Sequence, residues 1–272
     1  MPSKDISGSW WVVLRPNRDA KLRLFCFPYA GGNASLFRAW SAAMPEFVEV
    51  CALQPPGRAN RIAEEPIPTV TAFMAQLGPA LKALNDKPFV FFGHSMGSIL
   101  AFEACRWLRR EGLNLPQHLF VSARRAPHIP DADPHIHATS DEEFLAEVAR
   151  LKGTPQAVLE DRALLRLLIP VLRADFTLCE TYQCSEEGPF SFPITVLGGV
   201  EDEETQAGRL EAWQRHTTAK FSTHEIPGDH FFIHSQEQLL LSLMRRQLAE
   251  IAYRSASLRK PTPQPLREVT TF

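Results

Sequence analysis

FVFFGHSMGSIL, residues 89–100, is the stretch from which the rest of the chain can be read. Its first four positions, Phe89–Phe92, are apolar without interruption, which predicts a parallel strand covered on both faces. Gly93-His94-Ser95-Met96-Gly97 then matches G-x-S-x-G, and a helical pattern follows over Ile99–Arg110. Strand, tight turn and helix in that order are the setting of a nucleophile elbow with Ser95 at its tip. The chemistry accounts for the glycines, because a nucleophile held in a strained backbone leaves no room for bulky neighbours. The helix that follows aims its first N–H groups at any negative charge developing there. An ordinary turn with a capping serine is the bland reading of the same pentapeptide, and its flanks argue against it.

Outward from the elbow, short apolar runs alternate with amphipathic segments. Strands are predicted over Leu22–Phe27, Phe47–Leu53, His118–Ser122, Ile194–Leu197 and Lys220–Ile226. Helices are predicted over Ser35–Met44, Thr69–Leu84 and about Ser235–Tyr253. Strands alternating with helices imply an α/β fold of the α/β-hydrolase type, a mostly parallel central sheet with helices on both faces. Residues 126–185 break the rhythm. They open with APHIPDADPHIH and continue with a capping-box signature at Ser140–Glu143 and helical stretches over Ala163–Val171 and Leu172–Tyr182. That segment reads as a helical lid inserted in a hydrolase domain of residues 1–254. Residues 255–272, with PTPQP, read as a disordered tail.

A serine hydroxyl needs a base, and this architecture orders its partners Ser, then Asp or Glu, then His. Of nine histidines, His230 follows the strand ending at Ile226 and the turn Pro227-Gly228-Asp229, ahead of the last helix. His234 is the alternative, and His94 lies inside the elbow. Asp202, in the loop after Ile194–Leu197, is the candidate acid, with Glu201 as competitor. An oxyanion hole needs two N–H donors. One is the backbone of Met96, and the other is expected from the glycine-bearing loop Pro28–Asn33.

The composition excludes some classes. The 272 residues carry 29 Lys+Arg against 31 Asp+Glu, a net charge of −2, without the basic excess that nucleic acid calls for. Five cysteines with no C-x-x-C read as reduced thiols. No charged start followed by an apolar stretch opens the chain, and every apolar run is interrupted by charge, so a soluble, cytoplasmic protein with no membrane partner is expected, with a monomer as the default. His128, His135 and His137, with Asp131 and Asp133, suggest a metal cluster, but their spacing matches no standard zinc pattern. No metal or cofactor is expected.

Six stretches then combine into a resemblance: FPYAGGNASLFRAW (27–40), QPPGRANR (54–61), FFGHSMGS (91–98), SARRAP (122–127), LGGVEDE (197–203) and DHFFI (229–233). Together they resemble the type II thioesterases of polyketide and nonribosomal peptide assembly lines. The resemblance implies hydrolysis of acyl thioesters from the phosphopantetheine arm of an acyl or peptidyl carrier protein, removing stalled or wrong acyl groups. It implies that Ala30 and Met96 supply the oxyanion N–H groups and that residues 126–185 are the lid. Asp229 departs from the glycine the family commonly has there, and its carboxylate is expected to stabilise protonated His230. Arg124 and Arg125, just past a strand, are expected either to receive the carrier or to form a structural ion pair. Arg58 and Arg61 read as structural. A carboxylesterase or lipase, an acyltransferase using the same triad and a non-catalytic docking module are the rival readings.

Overall fold

The computed structural model describes residues 10–130, 134–151, 153, 160–205 and 208–257. The apolar run at 89–92 becomes β4 (Phe89–His94), central in a seven-stranded sheet with β1 (Trp11–Val13), β2 (Leu22–Phe27), β3 (Val48–Leu53), β5 (Leu119–Ser122), β6 (Ile194–Gly199) and β7 (Phe221–Ile226). The order is β1-β3-β2-β4-β5-β6-β7. All pairings are parallel except β1 with β3. That short antiparallel edge strand was not among the predicted ones. β2, β3, β4 and β6 are buried at every position.

Burial on both faces follows from period-two alternation with no polar face. In β4, Phe89 and Phe91 enter one core with Phe25 and Phe27 of β2, while Val90 and Phe92 enter the other with Leu24 and Cys26. The helices divide accordingly. α2 (Val70–Ala83) and α3 (Met96–Arg110) cover the first face through Phe73, Leu77 and Leu100. The other face is covered by Trp40 of α1 (Arg38–Ala43) and by Leu240, Met244 and Leu248 of the C-terminal helix (Glu237–Ser257). Two ring pairs, Phe25–Phe91 and Phe27–Phe91, meet edge to face at 5.6 and 5.2 Å. Such pairs contribute about 0.5–1.5 kcal/mol beyond area burial.

Between β5 and β6 the described residues contain α4 (Asp141–Arg150) and α5 (Arg162–Glu180), and no strand. The capping box at Ser140 and Glu143 is formed. α5 corrects the reading of two helices, because it runs unbroken through Pro170. Proline removes one intrahelical hydrogen bond there, and burial of Val171, Leu172, Asp175 and Leu178 on the following turns holds the helix together. α6 (Phe232–Ser235) precedes α7 (Glu237–Ser257), so the last helix runs past the boundary expected at 254. Residues 258–272 of the expected tail lie outside the described residues.

The winding direction reverses at β2, whose neighbours are β3 on one side and β4 on the other. In open parallel sheets a crevice forms at such a reversal, beyond the carboxyl ends of the strands. The loop after β2 and the elbow after β4 therefore face each other.

His118, at the foot of β5, is 8% exposed, with Nε2 2.9 Å from Thr195 Oγ1. Burial, reinforced by Lys220 and Arg254, lowers its pKa from 6.5 to about 3. The unfolded chain therefore binds a proton below about pH 6.5 that the folded chain refuses until about pH 3. This contribution to stability is complete above pH 6.5 and is lost on acidification, at up to about 1.4 kcal/mol per pH unit. Urea midpoints should fall between pH 7.5 and pH 5, and His118→Gln, which stays neutral, should flatten that fall. An unchanged pH dependence in the variant would remove His118 from the account.

Candidate active site

Ser95 stands between β4 and α3 at φ 54°, ψ −117°, a conformation that residues with side chains resist. Its neighbours allow it. A Cβ on Gly93 would lie 2.2 Å from the Gly97 carbonyl oxygen, and one on Gly97 would lie 2.1 Å from that of Phe27. The Ser95 N–H donates to Ser122 O at 2.8 Å. Ser98 Oγ sits 2.8 Å from Gly93 O and accepts the Ser122 N–H at 3.2 Å, tying the elbow to β5.

His230 and Asp202 come to Ser95 from the loops after β7 and β6. His230 Nε2 lies 2.9 Å from Ser95 Oγ, and His230 Nδ1 lies 2.9 Å from Asp202 Oδ2. Asp202 is 4% exposed, and its second oxygen accepts the Glu204 N–H at 3.0 Å. A buried carboxylate at Nδ1 keeps the proton there and leaves the Nε2 lone pair facing the hydroxyl. Glu201 is exposed, and the structure brings Asp202 to the imidazole instead. His234 pairs with Tyr29, Nε2 to Oη at 2.9 Å.

His94 has a part the sequence did not signal. It is fully buried, with Nδ1 2.9 Å from Ser122 Oγ and Nε2 2.9 Å from the His230 carbonyl oxygen. Burial, then the neighbouring His230, hold its pKa well below the usual histidine range. It is therefore neutral, donates Nε2–H to that carbonyl and fixes the backbone carrying His230. Asp229, expected to act on the imidazole, turns its carboxylate to the Phe231 N–H at 2.9 Å, just ahead of the short helix α6.

In the loop after β2, Gly32 N–H donates to Tyr29 O at 2.9 Å and Gly31 N–H to Asp175 Oδ2 at 2.7 Å. Among the described residues no acceptor takes the Ala30 or Met96 N–H. Two unspent backbone donors thus border Ser95. A cavity of about 820 Å³ opens over Ser95, Ala30 and His230, and α4 and α5 supply Val148, Leu172 and Phe176 to its wall. Cys179 also lines it, but burial pushes that thiol to a pKa of about 12, far from a thiolate nucleophile at neutral pH.

The remaining sequence candidates sort differently. His128 pairs with His216 at 2.9 Å rather than with His135 or His137, and Asp131 and Asp133 lie outside the described residues. His135, His137 and Glu180 do converge, with ligand atoms within 4.8 Å of one another. Glu180, however, already accepts the N–H groups of Ile136 and His137 and faces His137 Nδ1, so the cluster is accounted for as a loop anchor on α5. Arg125 corrects the docking expectation. It is 3% exposed and pairs with Glu204 at 2.5 Å, so it presents no charge to a partner's surface. Arg124 meets the same carboxylate at 3.1 Å from the cavity wall. Both brace the loop that carries Asp202. Arg58 and Arg61 are buried and paired with Asp175 and Glu64, as structural residues are.

Comparison with known proteins agrees with this geometry. A family model described as thioesterase domain matches residues 22–248. The chain is 44% identical over 241 residues to gramicidin S biosynthesis protein GrsT of Aneurinibacillus migulanus, covering 89% of this chain and 94% of that one. It is similar to the type II thioesterase BorB from the borrelidin biosynthetic cluster, with TM-score 0.81 and 34% identity over 90% of this chain and 98% of the other. A relative from Brevibacillus parabrevis, 40% identical over 91% of this chain and 96% of its own, is named linear gramicidin dehydrogenase LgrE. The dinucleotide fingerprint G-x-G-x-x-G that such a name would suggest has no counterpart here, since no two glycines in the sequence are two positions apart.

Arg125→Gln should cost stability on the order of 3 kcal/mol, because it leaves one member of a buried ion pair short of its partner. The measurement is the urea midpoint. An unchanged midpoint would mean that the pair with Glu204 contributes nothing to stability.

Proposed function

The chain belongs to the thioesterase family, and from that premise we propose that it removes acyl groups from carrier-protein thioesters by a two-step acyl transfer through Ser95. The observation that carries this reading is the position of His230, 2.9 Å from Ser95 Oγ on one side and 2.9 Å from Asp202 on the other. In the first step Ser95 Oγ attacks the thioester carbonyl while His230 Nε2 takes the hydroxyl proton. The N–H groups of Ala30 and Met96 stabilise the tetrahedral oxyanion, worth about 10²- to 10³-fold per donor. The C–S bond breaks, the thiol leaves with the proton from His230, and an acyl-serine remains. Water, deprotonated by His230, then attacks the acyl-serine, and Ser95 recovers its proton as the carboxylic acid departs. Asp202 holds the imidazole in the required tautomer and stabilises its charged form without taking the proton.

The thiol is the phosphopantetheine arm of an acyl or peptidyl carrier protein. Two features support this: the likeness to GrsT, named for gramicidin S biosynthesis, and the likeness to BorB of the borrelidin cluster. The cavity beneath α4 and α5 suits the acyl chain, since apolar burial there contributes about 25 cal/mol per Å². The reaction is one of proofreading, the release of acyl groups on which the assembly line has stalled. No described helix is long and apolar enough to cross a membrane. All five cysteines are free, which supports a reducing compartment; we place the protein in the cytoplasm as a monomer.

Acyl release from acyl-phosphopantetheinyl carrier protein should fall on the order of 10⁴- to 10⁶-fold in Ser95→Ala. Asp202→Asn should cost on the order of 10⁴-fold, because the amide favours the wrong tautomer. A wild-type protein that cleaves simple esters and ignores the carrier would keep the triad and overturn the carrier assignment. Release that survives in Ser95→Ala would overturn the mechanism.

A further inference from the structure

Asp175 lies on α5 and yet is 1% exposed, deeper than a residue roofing a cavity needs to be. Its Oδ2 accepts the Gly31 N–H at 2.7 Å and Arg58 Nη1 at 2.5 Å, and its Oδ1 accepts Arg58 Nη2 at 2.8 Å. Arg58 in turn donates to the carbonyl oxygens of Pro56 and Gly32. The helix is seated by shape as well as by charge. A Cβ on Gly31 would meet Leu172 Cδ2 at 2.7 Å, and one on Gly57 would meet Val171 Cγ2 at 3.2 Å. One face of α5 thus rests on the loops after β2 and β3.

The consequence for the site follows from the peptide units. Gly32 N–H to Tyr29 O closes a four-residue turn over residues 29–32. Tyr29 O and Ala30 N–H belong to one planar unit and point opposite ways across a trans bond, so that hydrogen bond sends the Ala30 N–H out of the turn. The next unit, ending in Gly31 N–H, has two competing orientations in such turns, and φ +79° at Gly31 is the one with the unit flipped. Asp175 takes the N–H that the flip presents. Taking the catalytic reading above as given, we infer that Asp175 is a positioning residue for the oxyanion donor at Ala30. Its place on α5 makes that donor's geometry conditional on the helix being seated, so substrate meets a complete oxyanion hole only under a closed roof.

The test uses Asp175→Ala and Asp175→Asn in the full chain, with a p-nitrophenyl acyl ester as substrate, which needs the oxyanion hole but no carrier. Asp175→Ala should lower kcat on the order of 10²-fold, the effect of one oxyanion donor, with KM nearly unchanged. Affinity for an alkylboronic acid, which forms a tetrahedral adduct on the serine, should fall by a similar factor. The acid limb of the rate profile should stay in place, since the variant leaves His230 and Asp202 untouched. Asp175→Asn keeps an oxygen for the Gly31 N–H and should recover most of the loss. Wild-type kcat and boronate affinity in Asp175→Ala, or an asparagine variant as impaired as the alanine one, would overturn the inference. Amide hydrogen exchange on the wild type tests it without depending on how the variants fold. Gly31 should be protected while Ala30 and Met96 exchange quickly, and equal rates at Gly31 and Ala30 would overturn it. A wild type with no Ser95-dependent ester cleavage would count against the catalytic reading alone, because the exchange result reads the clamp directly.

Discussion

Ser95 has to stand in a left-handed backbone conformation, at φ 54°, where a side chain crowds its own peptide neighbours. Strain of this kind costs on the order of 1–3 kcal/mol and persists only when the surroundings leave no alternative. Here β4 enters the turn from the middle of the sheet, buried on both faces. Gly93 and Gly97 let the chain cross itself at separations that any Cβ would forbid. Ser98 and Ser122 fasten the turn to the neighbouring strand. The two aromatic cores flanking β4 thus do more than fold the chain: they hold the strand that imposes the strain.

Around that point the site is assembled from separate loops on one rigid sheet. The turns after β2 and β4 carry the Ala30 and Met96 N–H groups, and the loops after β6 and β7 bring Asp202 and His230 to Ser95. Each loop has its own fastening: Asp175 for Gly31, Glu204 for Asp202 and His94 for His230. Arg124 and Arg125 hold Glu204 in place. The pattern is preorganisation, in which side chains and dipoles are already aimed where charge will develop, so that little reorganisation is needed during reaction.

The fold class and the convergence of Ser95, Asp202 and His230 are legible because their signals are local: an apolar run, a pentapeptide with glycines, and a chain order of loops after strands. β1 escaped because three residues, Trp11–Val13, carry too little pattern, and its place rests on antiparallel pairing with β3. The local pattern divides α5 into two helical stretches, whereas the packing of its later turns carries one helix through Pro170. Arg125 was left between docking and structure because charge alone does not reveal burial. The fastenings were the least legible. Arg58 and Asp175 lie 117 residues apart, and His94 meets a carbonyl 136 residues away. Neither type of residue is unusual in its own segment, and only the topology brings the partners together.

The central claim is that the acyl group passes through Ser95 on its way from thiol to water. Rapid quenching of the protein with an acyl-phosphopantetheinyl carrier, followed by peptide mass spectrometry, tests it most directly. The account predicts one acylated peptide, spanning residues 89–100 and modified at Ser95, which forms as the carrier loses its acyl group and decays as free acid appears. Free acid released at the same rate with no acyl adduct at Ser95, or with the adduct on another residue, would contradict it.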